Sequence, residues 1–401
     1  MNKTSVTSGF FKNFSLLFTG LIVVQIINFV FSLILPKFFL PAAFAEFGIF
    51  TSVVFILIEI VNAKLDVVVM LTQHEEETKK VMNAAFTIAV IVFFILLLGE
   101  FLFLFFVPTI YLLVPFCVLL YGIHQPILVY LNKLEKYSAI NLFRIIQVLT
   151  TCAVTLLLAL QKTEHALIFG FLAGLAVATV FILKFSSPKL DLEATKEVWN
   201  QYDQFPKYGT WSSLLNNISR NSVPILLSNF FSQQLVGFYS YTTRLLNAPT
   251  GMYTSALGQV YFKKASEQDD ETLRKSTLKV IQFTFLISIL PTLFILIFGK
   301  ELFYALFSGA WLEAGKIAQY LILWYFLGVI ASPVSCLLDI KNKLKFEFGF
   351  NLSLFLLRII ALLIGGFLHD FYLAILLFSL SGIALNVYLL YYIRYHILKN
   401  D

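Results

Sequence analysis

Five basic side chains lie inside stretches of sequence that are otherwise apolar: Lys64, Arg144, Arg220, Arg244 and Arg358. An arginine stays charged at any physiological pH, and its forked N–H donors fit the oxygens of a phosphate. A cation in lipid hydrocarbon costs about 2.5–3.5 kcal/mol, so such a side chain normally faces a helix-bundle interior or water. We therefore predict an aqueous cavity in which the four arginines bind an anionic headgroup, either a phosphate or a pyrophosphate.

Acidic residues in the same stretches leave a structural alternative open. Glu59, Asp66, Glu100 and Asp339 could each pair with an arginine across a helix interface. Glu59 and Glu100 are also candidates for coupling to a H⁺ or Na⁺ gradient. Lys64 and Asp66 either form a local ion pair or belong to such a coupling site.

No metal or nucleotide site is predicted. The five histidines are scattered, and none lies three to five residues from another. The three cysteines stand singly in apolar runs, without a CxxC motif. The phosphate-binding motif GxxxxGK[ST] does not occur. We expect no cofactor, so energy for any transport must come from an ion gradient, the membrane potential or mass action.

The amino-acid composition indicates whether these residues lie in a chain surrounded by water or by lipid. Of 401 residues, 59% are hydrophobic and only 13% are charged, with a mean hydropathy of +0.84. A soluble chain has about 25% charged residues, and one this apolar could not cover its surface in water. Soluble enzymes, disordered chains, coiled coils and disulfide scaffolds are excluded, which leaves a polytopic membrane protein.

The apolar runs predict twelve transmembrane helices. A helix needs about 20 apolar residues to cross the hydrocarbon core, and a barrel would instead alternate polar and apolar residues. The predicted spans are 14–35, 42–65, 82–105, 109–131, 138–160, 165–184, 208–231, 235–261, 276–299, 314–339, 346–368 and 371–393.

The lysines and arginines outside the spans predict the orientation. Twenty of them lie at the two ends of the chain and on alternate connections. The opposite connections hold only Lys37, Lys162, Lys300 and Lys316. Basic residues accumulate on the cytoplasmic side, so both termini are expected to be cytoplasmic. The net charge of +6 is therefore a topology signal and does not indicate a nucleic-acid partner.

Internal repetition predicts two six-helix lobes. Span four contains Pro126 and precedes Arg144-Ile145-Ile146 on span five, while span ten contains Pro333 and precedes Arg358-Ile359-Ile360 on span eleven. Six is an even number of spans, so the two lobes are expected to be related by a pseudo-two-fold axis along the membrane normal. We predict an N-terminal lobe over 1–184, a cytoplasmic linker over 185–207 and a C-terminal lobe over 208–401.

The segment 205–267 resembles a known transporter family. It contains Phe205-Pro206-Lys207-Tyr208-Gly209, Ser219-Arg220-Asn221, Val236-Gly237-Phe238-Tyr239 and Arg244-Leu245-Leu246. These motifs are similar to those of the polysaccharide repeat-unit (Wzx-type) flippases of the multidrug/oligosaccharidyl-lipid/polysaccharide (MOP) exporter superfamily. Arg220 and Arg244 match family positions, whereas Lys64 replaces the arginine often seen in span two.

The resemblance implies a flippase of the bacterial cytoplasmic (inner) membrane. Its substrate would be an undecaprenyl-pyrophosphate-linked oligosaccharide, moved to the outer leaflet by alternating access for O-antigen, capsule or exopolysaccharide synthesis. Membrane lipid, a polysaccharide polymerase and chain-length machinery are the implied partners. The expected sugar contacts are Asn28, Gln147, Ser212, Asn216 and Asn217.

Other functions remain as alternatives. Within the same superfamily these are a lipid II flippase, whose substrate carries the same pyrophosphate, and a multidrug/ion antiporter. A drug cation would favour an anionic cavity, whereas here arginines outnumber deep acids. A membrane polysaccharide polymerase is the remote alternative, because such chemistry usually needs a large outer loop with catalytic groups. We therefore expect a transporter and not an enzyme.

Overall fold

The computed structural model describes residues 3–102, 108–266, 268–307, 309–341 and 343–398. The side chains of residues 3–18, 212, 216, 259, 263 and 344 lie outside this description. The described residues form α-helices joined by short turns. In chain order the helices are α1 (Lys3–Ile34), α2 (Pro41–Val61), α3 (Leu65–Leu71), α4 (Glu75–Leu102), α5 (Val114–Lys133), α6 (Tyr137–Leu160), α7 (Ala166–Leu183), α8 (Leu192–Gln201), α9 (Thr210–Asn221), α10 (Val223–Ser228), α11 (Gln233–Ser266), α12 (Asp270–Phe307), α13 (Leu312–Ser335), α14 (Leu337–Ile340), α15 (Leu344–Phe367) and α16 (Phe371–Tyr392).

The all-helical membrane architecture is confirmed. Ten segments of the described chain are long and apolar enough to cross a membrane: Thr19–Lys37, Pro41–Val61, Glu75–Leu102, Thr109–Lys133, Tyr137–Leu160, Ala166–Leu183, Asp270–Phe307, Gly309–Ile340, Lys345–Phe367 and Phe371–Ile397. The predicted spans 208–231 and 235–261 do not meet this criterion. The first is divided at Ser222 into the short helices α9 and α10, while α11 is long enough at 34 residues but too polar.

The described residues form two compact units. Unit 1 runs to Phe31 and resumes over Ile49–Ser222, whereas unit 2 comprises Ser32–Gly48 and the chain from Val223 onward. The repeat motif falls on corresponding elements in each. Pro126 lies in α5 and Arg144 in α6, while Pro333 lies in α13 and Arg358 in α15. The symmetry axis and the predicted lobe boundaries stay predictions.

The core of unit 1 gathers small and β-branched side chains from α3 to α8. Val68, Ala85, Ile127 and Ala178 are completely buried in it. At its edge the Lys133 ammonium donates hydrogen bonds to four oxygens, which are Thr72 O (2.6 Å), Thr72 Oγ1 (2.7 Å), Thr78 Oγ1 (3.1 Å) and Val69 O (3.2 Å). This lysine therefore caps the carboxyl end of α3, where cations are stabilising.

Unit 2 is built around an aromatic cluster and a close helix contact. Phe44, Tyr241 and Trp311 pack with ring centroids 4.6–5.3 Å apart, and the Tyr241 hydroxyl donates a hydrogen bond to the Ser32 carbonyl (3.0 Å). Beside them, a Cβ on Gly237 would lie 1.8 Å from the Pro41 carbonyl oxygen. Only glycine allows this approach of α11 to the start of α2.

Candidate functional site

The apolar run of span two ends at a sharp corner. The expected span 42–65 is too long, because α2 ends at Val61 and α3 starts at Leu65. Between them Ala63 and Lys64 have φ values of 48° and 59°. Such left-handed conformations are uncommon for residues with a side chain and concentrate at functional sites. The buried Asn62 amide stabilises the corner by donating to the carbonyls of Ala85 (3.0 Å) and Gly122 (2.9 Å).

This corner holds three of the predicted site residues together. Lys64 Nζ lies 2.7 Å from Glu59 Oε2, and Asn217 Nδ2 donates to Glu59 Oε1 at 2.6 Å. Asn221 also donates to the Asn217 side chain. Glu59 is therefore the counter-ion of Lys64, and the alternative in which it pairs with an arginine is not the observed arrangement.

A cavity of about 90 Å³ opens beside this ion pair. Glu59, Lys64, Asp66, Tyr121 and Gln125 contribute to its lining. Burial raises the pKa of the Asp66 carboxyl above its ordinary value, and the nearby Lys64 charge only partly opposes this effect. The cavity thus brings together the ion pair of Glu59 and Lys64 and a third side chain, Asp66, whose carboxyl pKa is raised by burial.

Arg144 and Gln147 lie one turn apart on α6, both half-buried. Arg144 Nη1 is buried and has no hydrogen-bond partner among the described residues. An unsatisfied buried donor is costly, so an anionic ligand would offset this cost.

Arg220 follows Asn217 by three residues on α9 and is exposed, with no ion pair in the described part of the chain. It therefore does not have the burial expected from its position in an apolar run.

The other two arginines belong to unit 2 and stack on aromatic rings. Arg358 is only 8% exposed, and its guanidinium carbon lies 5.0 Å from the Trp324 ring centroid and 5.1 Å from that of Phe378. Arg244 is half-buried, 5.3 Å from the Phe47 ring. Aromatic faces attract a desolvated guanidinium and hold its plane fixed. Both arginines are thus positioned by rings, as donors to an anion would need to be.

The remaining predicted residues are dispersed. Asn28 is half-buried on α1. Glu100 lies near the end of α4, and its Oε2 is buried without a hydrogen-bond partner among the described residues. It does not contribute to the lining of the cavity beside Glu59. The side chains of Ser212 and Asn216 lie outside the described residues. No group of three or more His, Cys, Asp or Glu in the described chain could hold a metal ion.

Sequence reasoning missed the residues that position these groups. Asn62 fixes the α2–α3 corner, while Trp324 and Phe378 enclose Arg358. Asn62 carried a weak signal, as an amide near the end of an apolar run. The two aromatic residues carried none, because 16% of the chain is aromatic.

Comparison with known proteins places the chain in a family. A family model described as "Polysaccharide biosynthesis protein" matches residues 34–316. An "Uncharacterized membrane protein in cps region" of Klebsiella pneumoniae is 24% identical over 227 residues, which are 55% of this chain and 45% of that protein. The chain thus matches less than half of that relative's length.

Solved structures show the same fold at low sequence identity. "Lipid II flippase MurJ, inward closed conformation" gives a TM-score of 0.80 at 16% identity, covering 94% of this chain and 87% of that one. A multidrug resistance MATE family transporter in an inward-facing conformation gives 0.67 at 13% identity, with coverages of 92% and 94%. A MOP superfamily transporter from Pyrococcus furiosus gives 0.62 at 13% identity, with 97% of both chains covered.

These findings confirm the resemblance at the level of family and fold. The prediction of a transporter and not an enzyme agrees with both. The chain belongs to the polysaccharide biosynthesis protein family and is a multi-pass membrane protein with the MOP superfamily fold.

Proposed function

We propose that the chain is a flippase for an undecaprenyl-pyrophosphate-linked oligosaccharide. It would move one repeat unit from the cytoplasmic to the outer leaflet of the bacterial inner membrane, for O-antigen, capsule or exopolysaccharide synthesis. The polysaccharide family and the name of the cps-region relative support a lipid-linked glycan as substrate. A polymerase and chain-length machinery would act on the product.

The observation that carries this proposal is the placement of arginines within apolar helices. Arg358 is buried against two aromatic rings, and Arg144 has a buried donor without a hydrogen-bond partner in the described chain. An anion bound there for part of the cycle stabilises an arginine charge in apolar surroundings. A pyrophosphate supplies acceptors for several forked N–H donors at once.

The rest of the translocation cycle follows from the topology we propose. Twelve helices in two six-helix lobes, with both termini cytoplasmic, would expose the arginines alternately to each side. Arg220 and Arg244 would complete the headgroup site, and amides such as Asn28, Gln147 and Asn217 would contact sugars. Glu59, Lys64 and Asp66, or separately Glu100, would couple the cycle to H⁺ or Na⁺.

Gene deletion followed by lipid analysis tests this function. We expect the deletion strain to accumulate one complete lipid-linked repeat unit in the cytoplasmic leaflet. Accumulation of lipid II instead, or sensitivity to drugs with normal glycan, would replace the proposal by the lipid II flippase or the antiporter. A strain in which polysaccharide polymerisation fails after normal translocation would indicate a polymerase.

Complementation with variants tests the arginines. We expect R144Q and R358Q to restore less than a tenth of surface polysaccharide at equal membrane abundance. The control R394Q changes an exposed arginine near the carboxyl end and should complement fully. If R144Q and R358Q complement as well as R394Q, the pyrophosphate site lies elsewhere, whatever the deletion strain accumulates.

A further inference from the structure

A second polar cavity lies in unit 2, where the end of α11 meets the start of α12. Its volume is about 430 Å³, which is within the usual range for ligand sites. Three lysines line it, Lys264, Lys275 and Lys279, together with the polar side chains of Gln268, Thr272 and Ser276. None of the residues proposed for headgroup binding contributes to this cavity.

The cavity has a charged end and an apolar end. On α12 its lining residues are 272, 275, 276, 279, 280 and 283, a spacing of three and four that places them on one helix face. At 1.5 Å per residue, Phe283 lies about 12 Å along the axis from Lys275. Val280 and Phe283 therefore continue the lysine-lined end toward the interior of the span.

The lysines keep positive charge available. Lys264 and Lys279 form no ion pair within the described residues, while Lys275 bonds to Glu271 at 2.5 Å. Lys275 and Glu271 are 69% and 74% exposed, so their pair holds the lysine only weakly. Of the neighbouring acids, Asp269 accepts a hydrogen bond from the Thr272 N–H (3.4 Å) and Asp270 is bonded to Lys341 (2.5 Å); neither acid is part of the lining. The lining itself contains three lysines and no acid.

The surroundings indicate a lipid. α12 is the most exposed of the ten candidate spans, with only 11% of its apolar window buried. Leu286 and Leu290, beyond the cavity on the same helix, are 67% and 72% exposed. In the topology that the lysines and arginines predict, this end of α12 lies on the cytoplasmic side. Basic pockets beside spans on that side bind the headgroups of anionic lipids.

We propose that this cavity binds an anionic phospholipid, with its phosphate at the three lysines. The acyl chains lie along Val280, Phe283 and the exposed leucines of α12. The Gln268 amide, whose Oε1 accepts a hydrogen bond from the Ser276 hydroxyl at 2.6 Å, supplies a neutral donor to the headgroup. The site is separate from the substrate arginines, so a bound phospholipid stabilises unit 2 whichever glycan the protein moves.

Thermal unfolding of the full-length protein in detergent tests the site. Phosphatidylglycerol, phosphatidylcholine and inorganic phosphate are each titrated, and the rise in Tm of every variant is measured from its own lipid-free value. We expect only phosphatidylglycerol to stabilise the wild type. K264Q/K275Q/K279Q should need at least ten-fold more phosphatidylglycerol for half of the effect.

A matched triple variant separates the site from general attraction. K79Q/K189Q/K196Q removes the same charge from exposed lysines of unit 1 and should shift the titration less than two-fold. Equal losses in the two variants, or none in either, overturn the proposal. Stabilisation by inorganic phosphate equal to that by phosphatidylglycerol also overturns it, because the ligand is then a free anion. If the first triple variant does not fold, K279Q alone replaces it against K196Q.

Discussion

At the residue scale, Glu59 and Lys64 are each other's principal partner. Their side chains are 17% and 23% exposed and 2.7 Å apart, so the pair is mostly removed from water. The Asn217 amide satisfies the second carboxylate oxygen at 2.6 Å. Removing one partner of a pair with this burial therefore costs more than removing one partner of an exposed surface ion pair, because the other charge is left partly buried.

Neutralising both partners of this pair should cost less than the two single changes added together. E59Q and K64Q each leave a partly buried charge uncompensated, and we expect each to lower the free energy of unfolding by about 1–3 kcal/mol. The double variant E59Q/K64Q should cost less than the sum. Unfolding in a mild detergent measures the three values, and strict additivity would show that the two groups do not interact.

Asp66 should make stability depend on pH. Its pKa is raised in the folded protein by burial, so as pH rises past the ordinary value the unfolded chain releases the proton first. The folded state therefore loses relative stability with rising pH, until the folded-state pKa is passed. We expect D66N to be more stable than the wild type at pH 7, with a smaller difference at pH 4. A gain of equal size at both values of pH would contradict this.

At the element scale, helix contacts depend on single small or cationic side chains. Two of the three glycines of α11 lie in different surroundings. Gly237 lies against the Pro41 carbonyl, whereas a Cβ on Gly251 would meet nothing within 4 Å. The two positions therefore separate the effect of close approach from that of helix propensity.

Alanine at these two glycines should act in opposite directions. G237A forces α11 away from the start of α2 and should reduce folded protein severely. G251A relieves the entropic cost of glycine within a helix and should stabilise by about 0.5–1 kcal/mol. Yield after size-exclusion chromatography and thermal unfolding measure both. Destabilisation by G251A comparable to that by G237A would mean that α11 tolerates no added side chain.

In unit 1, the helix contacts of α3 depend on the side chain of Lys133. Its ammonium donates hydrogen bonds to four oxygens of α3, its carboxyl-terminal cap and the start of α4. None of these oxygens belongs to a carboxylate. We expect K133M to cost about 1.5–3 kcal/mol, because hydrogen bonds to a charged group are lost and oxygens are left unsatisfied. K136M, which changes an exposed lysine on the same connection, should cost under 0.5 kcal/mol. Equal costs for K133M and K136M would mean that the loss of a positive charge, and not the loss of these hydrogen bonds, destabilises the protein.

At the scale of the whole molecule, the number of spans can be decided at one position. The turn at Ser232, between α10 and α11, is exposed. With twelve spans it lies on the outer side, whereas without spans seven and eight it lies in the cytoplasm.

Cysteine labelling in intact cells distinguishes these topologies. In a background with Cys152 and Cys336 changed to Ala, we expect S232C and K162C to react with a membrane-impermeant maleimide. K189C, on the predicted cytoplasmic side, should react only after permeabilisation. Labelling of S232C only after permeabilisation would reduce the twelve proposed spans to ten.

The membrane class, the helical architecture and the family were accessible from the sequence. Hydrocarbon requires every backbone polar group to be satisfied within a segment, so apolar runs of sufficient length predict helices without knowledge of their neighbours. Composition therefore determined the class of fold. It did not locate the break of span two, which depends on the left-handed backbone at Ala63 and Lys64.

Only the tertiary structure decided which polar groups meet. Glu59 and Asn217 are 158 residues apart in the chain, and packing alone brings their side chains together. The Arg358 guanidinium stacks on Trp324 of α13 and Phe378 of α16, and only the packing of these helices brings the three side chains together. The sequence determined that charges lie within apolar helices, because each helix forms from its own residues. Their partners are set by helix packing, because the rotation of each helix about its axis and its depth in the bundle decide which side chains face each other.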